Sequence, residues 1–134
     1  MSQTIMRALI LGLGGLAVVA TDGAGAQSMN FLSTMSRFPE KSGEDLYKAI
    51  CQGCHMPDAK GAVGAGAYPA LAKNAHLETA AYPVSIVLKG QKAMPFFFMQ
   101  LDDQQVADVV NYVRTHFGNN YRDKVKPEDV KLLR

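Results

Sequence analysis

Residues 51–56 read CQGCHM. They hold the two cysteines of the chain, two residues apart, with a histidine directly after the second. Cysteines at this spacing can close a disulfide, form a redox dithiol, supply half of a zinc site or attach a haem. Each use needs a different scaffold, so the reading of these residues decides the fold.

A zinc site needs two further ligands, and the sequence has no second cysteine pair. His76 and His116 are too scattered to replace it. A thioredoxin-like dithiol belongs to a βαβ setting, which is absent. A disulfide closing so short a loop adds little, because the stabilisation grows with loop length. Haem attachment fits the spacing mechanically. On a helical turn, residues three and four apart share a face. Cys51 and Cys54 then point the same way and can form thioethers to the two vinyl groups on one porphyrin edge. His55, four from Cys51, can offer its imidazole to the iron from that side.

The chain has 134 residues, which predicts one domain. It has 12 glycines and no tryptophan. So small a chain buries a modest core, and haem would be the missing filling. The net charge is +2 with the signs well mixed and no basic cluster, which excludes nucleic acid as a partner class. Residues 1–26 read as an export signal: Arg7, an apolar run from Ile5 to Ala20, and Ala24-Gly25-Ala26 as the cleavage site. The run is short for a spanning helix, which needs about 20 residues. Cleavage after Ala26 predicts a periplasmic protein with no membrane insertion. An oxidising periplasm would also oxidise two neighbouring thiols unless something claimed them first.

Residues 27–41 read as a loose leader, 42–117 as the folded domain and 118–134 as a C-terminal tail. Ser42 with Asp45 has capping-box spacing and opens a helix that runs into the cysteines. Residues 57–69 have loop composition, and 70–82 predict one short helical piece. Pro83 starts a helix and Gly90 stops it. Asp102 with Gln105 forms a second capping box. Val106, Val109, Val110 and Val113 then follow at helical spacing, up to a stop at Gly118. Pro127 opens a last helical turn. The pattern is short helices joined by long loops, with no strand.

An iron held by one histidine has a sixth position to fill. Met56 adjoins His55 and lies on the proximal side, so it is a packing residue. Met29 and Met35 lie in the leader. Met94, pinned by Pro95 on an irregular loop, is the candidate ligand. Its rivals are Met99, which reads as a core residue, and His76, which reads as a surface one. His116 falls at the end of the last long helix, where it can bond a free carbonyl.

GEDLYKAICQGCH, GAYPALAKN, GQKAMPFFF and LDDQQVADVVNYVR resemble, in order, the segments of a small single-haem class I cytochrome c. The resemblance covers residues 42–117. It implies an all-α fold in which the first and last helices cross, with Gly43, Leu46 and Tyr47 against Val109, Tyr112 and Val113. It implies that the Pro69 carbonyl accepts a hydrogen bond from His55. It implies one haem c on Cys51 and Cys54, ligated by His55 and Met94, that carries electrons and turns over no substrate. The tail FGNNYRDKVKPEDVKLLR is similar to the ends of cytochrome c subunits and partners of periplasmic dehydrogenases. That implies redox protein partners: a periplasmic dehydrogenase as donor, and a terminal oxidase or another cytochrome as acceptor. A tightly bound dehydrogenase subunit and an open-site haem sensor are the alternatives.

Overall fold

The structure is a computed structural model that describes residues 38–64 and 66–134. The export signal at 1–26 and most of the leader lie outside the described residues.

Ser42 opens the first helix. Its hydroxyl accepts from the Asp45 N–H at 3.0 Å and donates to the Asp45 carboxylate at 2.6 Å. The Asp45 side chain thus bonds the capping hydroxyl rather than the backbone. Helix α1 (Gly43–Leu46) continues through a π turn (Tyr47–Cys51) into α2 (Gln52–His55). The irregular turn ends where the motif begins. Met56 N–H bonds the Gln52 carbonyl at 3.0 Å, so α-helical spacing holds from Gln52 through Cys54 and His55, while Cys51 closes the π turn.

A loop then carries a small antiparallel ribbon, β1 (Ala62–Val63) with β2 (Ala67–Tyr68), pairing Ala62 with Tyr68 and Val63 with Ala67. The sequence predicts no strand here, and two residues per strand are too few for an alternating pattern to reveal. The short helical piece predicted in 70–82 is a 3₁₀ turn (Ala75–Leu77), capped by the Asn74 side chain. Helix α3 (Ala81–Lys89) starts two residues before Pro83 and stops at Gly90, which has φ +70°. Helix α4 (Asp103–Thr115) carries the full reciprocal capping box of Asp102 and Gln105. It ends before Gly118, through an extended His116 and then two residues at positive φ, Phe117 and Gly118. Helix α5 (Pro127–Lys131) closes the chain.

The core lies along α4. Val106, Val109, Val110 and Val113 are all buried, as their spacing predicts. Each such burial contributes about 1.5–3 kcal/mol. Leu46 and Tyr47 pack into the same cluster, so the first helix and α4 cross. The crossing is close at Gly43, where a Cβ would stand 2.1 Å from the Asp108 carbonyl oxygen. The rings of Tyr47 and Tyr112 meet at 5.7 Å just below.

Segments outside the expected domain are tied down. The Gln105 amide, buried at the start of α4, donates to the carbonyls of Phe38 and Glu40 at 2.8 and 2.9 Å. The end of the leader is therefore fixed. In the tail, Val125 and Val130 are buried in the main core. Arg114 is fully buried. Its Nε donates to the Leu77 carbonyl at 2.8 Å, and its Nη2 to the Glu78 carbonyl at 2.9 Å. Nη2 also faces both carboxylate oxygens of Asp123, at 2.7 and 2.8 Å.

The hydrogen bond from Arg114 holds the Asp123 carboxyl below its ordinary pKa. A depressed carboxylate adds stability above the unfolded value, about 3.9, and loses it as pH falls through the folded value. Asp123→Asn is therefore expected to be less stable than the native chain at neutral pH. The gap should close as pH falls below about 4. Urea denaturation across pH 2.5–7 measures it.

Candidate functional site

The carboxyl end of the first helix carries Cys51, Cys54 and His55. Cys51 is half-buried, Cys54 is exposed, and both thiols are free. Burial pushes the Cys51 thiol up to about 12, with the neighbouring Cys54 adding to the shift. At neutral pH this is a neutral thiol. A thiolate metal ligand or a redox nucleophile needs the opposite. Among the described residues no three His, Cys, Asp or Glu side chains gather as a metal cluster. Two free thiols at this spacing can serve as covalent attachment points for a haem.

His55 is buried, at 8% exposure. Its Nδ1 lies 2.9 Å from the Pro69 carbonyl oxygen, fourteen residues on. The carbonyl can only accept, so Nδ1 carries a proton, and in the neutral ring Nε2 is the lone-pair donor. This is the arrangement of an imidazole prepared for a metal.

Two neighbours shape this contact: Gly61, which sequence reasoning missed, and Tyr47, which it placed at the helix crossing without a role for the hydroxyl. Gly61 packs on the proline loop: a Cβ there would stand 2.1 Å from the Tyr68 carbonyl oxygen and 2.9 Å from that of Pro69. Its φ is +69°. Its only sequence signal is that it is one glycine among several in this loop. Tyr47 is the second. Its hydroxyl donates to the Met56 carbonyl at 2.7 Å, just where the chain reverses after His55 with Met56 at φ +66°. Burial pushes the Tyr47 phenol up to about 12, so it stays a donor.

Met94 is half-buried on the loop between α3 and α4. A tight turn presents it: Met94 N–H bonds the Gln91 carbonyl at 2.9 Å, and Gln91 N–H bonds the Met94 carbonyl at 3.2 Å. Gly90 allows the close approach, since a Cβ there would stand 2.7 Å from the Met94 carbonyl oxygen. Met99, read from the sequence as a core residue, is instead 54% exposed. It lies in the turn before Asp102, where position alone does not say which way a side chain faces. Of the three aromatics after Pro95, Phe96 is exposed while Phe97 and Phe98 pack against the core. His76 is exposed beside Tyr82. His116 Nδ1 bonds the Tyr112 carbonyl at 2.9 Å, as its place at the helix end predicts.

Comparison with known proteins bears on this arrangement. Residues 39–113 match the family described as cytochrome C oxidase, cbb3-type, subunit III. The chain belongs to this cytochrome c family. Membership implies haem c and an electron-transfer role, and the donor set of two thiols and a prepared imidazole fits that group. Among curated proteins, the chain is 34% identical to the alcohol dehydrogenase (quinone) cytochrome c subunit of Gluconacetobacter polyoxogenes. That match spans 69% of this chain and 22% of the relative. It is 32% identical to the fructose dehydrogenase cytochrome subunit of Gluconobacter japonicus, over 83% of this chain and 25% of that one. It is 31% identical to the gluconate 2-dehydrogenase cytochrome c subunit of Pantoea cypripedii, over 70% of this chain and 24% of that one. The chain thus spans about a quarter of the length of the curated relatives it matches. No described helix is long and apolar enough to cross a membrane.

Gly61→Ala is expected to lower stability by at least about 1 kcal/mol from the left-handed backbone alone. The clash with Tyr68 and Pro69 adds to that. In the variant's crystal structure the His55–Pro69 contact should lengthen beyond hydrogen-bond range.

Proposed function

We propose that the chain is a periplasmic class I cytochrome c that carries one covalent haem and passes single electrons. Cys51 and Cys54 supply the thioether sulfurs, His55 the proximal ligand and Met94 the distal one. Haem supplies reversible one-electron exchange at its iron when bound. The observation that carries this reading is the 2.9 Å contact of His55 Nδ1 with Pro69, beside Cys54 and four residues from Cys51. The Pro69 carbonyl fixes the ring and strengthens donation from Nε2. The Met94 thioether is a soft neutral ligand that favours the reduced state. The exposure of Met99 supports Met94 over its methionine rival, and the exposure of His76 removes its support.

In this reading the donor is a periplasmic dehydrogenase and the acceptor is a terminal oxidase or another cytochrome. The dehydrogenase names of the relatives support the donor class. Lys89 and Lys92 are exposed around Gly90, and Phe96 is exposed beyond Met94, so this loop offers an apolar contact with a basic rim. Such a rim steers an acidic partner. The chain moves electrons between other proteins and turns over no substrate itself.

Covalent attachment and axial ligation are tested together. Cys51→Ala or Cys54→Ala is expected to shift the pyridine haemochrome band of a haem with two thioethers. Met94→Ala should abolish the near-infrared sulfur-to-iron band of the oxidised protein and open the reduced protein to carbon monoxide. Met99→Ala should leave both unchanged. Release of all haem from the denatured native chain into acidified organic solvent would sink the reading.

A second reading has support from the relatives, which are named as subunits of dehydrogenases. The chain would then be a stable subunit of such a complex. Size-exclusion of native periplasmic extract, followed by haem absorbance, separates the two. A free carrier elutes near its own mass of 14.5 kDa, less any cleaved signal. A subunit elutes with the dehydrogenase activity.

A further inference from the structure

Pro69 is exposed to solvent, yet its carbonyl oxygen sits 2.9 Å from the buried His55 ring. Packing of Pro69 itself does not hold that oxygen. The residues after it do, because Leu71, Lys73 and Asn74 are bonded to the segment that follows α4. Asn119 is the centre of this clamp. It is 7% exposed, and its amide makes three hydrogen bonds. Nδ2 donates to the Leu71 carbonyl at 2.8 Å and to the Val113 carbonyl, in the last turn of α4, at 2.8 Å. Oδ1 accepts from the Asn74 N–H at 2.9 Å. Lys73 N–H bonds the Phe117 carbonyl at 3.2 Å. Asn74, so held, donates its own Nδ2 to the Ala70 carbonyl at 2.7 Å, one residue from Pro69. On the other side, the N–H groups of Leu71 and Ala72 both bond the Ala59 carbonyl, at 2.8 and 2.9 Å.

We propose that Asn119 is a positioning residue for His55: resting on the haem reading above, it holds the Ala70–Asn74 backbone, and with it the Pro69 carbonyl, and so sets the redox potential. The family match ends at residue 113, so this residue lies beyond the matched segment. Its action runs through the hydrogen bond. A carbonyl held at Nδ1 pulls on that proton and makes Nε2 a stronger donor, which favours the oxidised metal. Releasing the loop weakens this hold, and the potential rises.

The test compares two asparagines, Asn111 in α4 and Asn119 four residues past its end. Asn111 also makes a pair of bonds, donating to the Val125 carbonyl at 2.8 Å and accepting from the Val125 N–H at 2.9 Å. Those bonds brace the tail and make no contact with residues 69–74. In haem-loaded protein, Asn119→Ala is expected to raise the midpoint potential. A tenfold shift in the redox equilibrium would appear as about 59 mV for one electron. The His55 Nδ1 proton should exchange faster by NMR. Asn111→Ala should lose comparable thermal stability while keeping the native potential and exchange rate. Asn74→Ser keeps a capping oxygen for the 3₁₀ turn and loses the reach to Ala70. It should raise the potential by less, and it decides the matter if Asn119→Ala fails to load haem. A native potential in Asn119→Ala, an equal shift in Asn111→Ala, or, where only Asn74→Ser loads, a native potential there, overturns the role of Asn119. Native protein without covalent haem would remove the haem reading and this role with it, whereas a loaded variant with native potential removes this role alone.

Discussion

The crossing of the first helix over α4 depends on one missing atom. A Cβ at Gly43 would stand 2.1 Å from the Asp108 carbonyl oxygen and 2.8 Å from the Tyr112 Cβ, so only glycine permits the approach. Two helices that touch this closely have little freedom to slide. Below the contact, Tyr47 packs between Tyr112 and Phe117, at 5.7 and 4.9 Å between ring centroids. Such aromatic pairs contribute about 0.5–1.5 kcal/mol each beyond the area they bury. The crossing sets two ends at once. The first helix delivers His55 on one side. On the other, α4 delivers the turn at Phe117 and Gly118 that reaches back to the proline loop.

The loop after His55 is costly as backbone. Met56, Ala59 and Lys73 all have positive φ without being glycine, at +66°, +57° and +48°. Each such residue costs about 1–2 kcal/mol. The loop persists because its polar groups are over-determined. Tyr47 bonds Met56, the Ala59 carbonyl accepts two N–H groups, and Lys73 bonds Phe117. Strain of this kind collects where a fixed geometry is useful. Here it surrounds the one carbonyl that aims an imidazole.

The sequence is legible where chemistry or periodicity acts over a single turn. The spacing of Cys51, Cys54 and His55 that haem attachment would need is local, so five residues suffice to suggest it. Helix α4 is legible because a capping box and four valines at helical spacing agree. The crossing residues follow from the resemblance, and Gly43 and Tyr112 do meet. Other features depend on distant partners and leave no local trace. Gly61 is one of 12 glycines, and only the fold shows which carbonyl it makes room for. Asn119 and Arg114 act across 36 to 48 residues of sequence. Polar residues in a segment without periodicity read as solvated, which is why 118–134 reads as a tail. Met99 reads as core because an apolar residue beside a helix usually is, and the turn at Phe97–Leu101 aims it outward instead.

Arg114 explains why that segment cannot be loose. A fully buried guanidinium brings five N–H donors and a charge out of water, and each must find a partner. Leu77 and Glu78 supply carbonyls from one side. Among the described residues the charge itself is met by Asp123, nine residues on. Asp123 stays largely in water, so its own desolvation cost is small while it neutralises the buried partner. Without an ordered 118–125 the guanidinium would be buried without its counter-charge, an arrangement that costs several kcal/mol. Burying Arg114 therefore commits the chain to ordering the residues between it and Asp123. Asn119 lies within that stretch, so the same arginine that closes the core holds in place the amide that braces the proline loop.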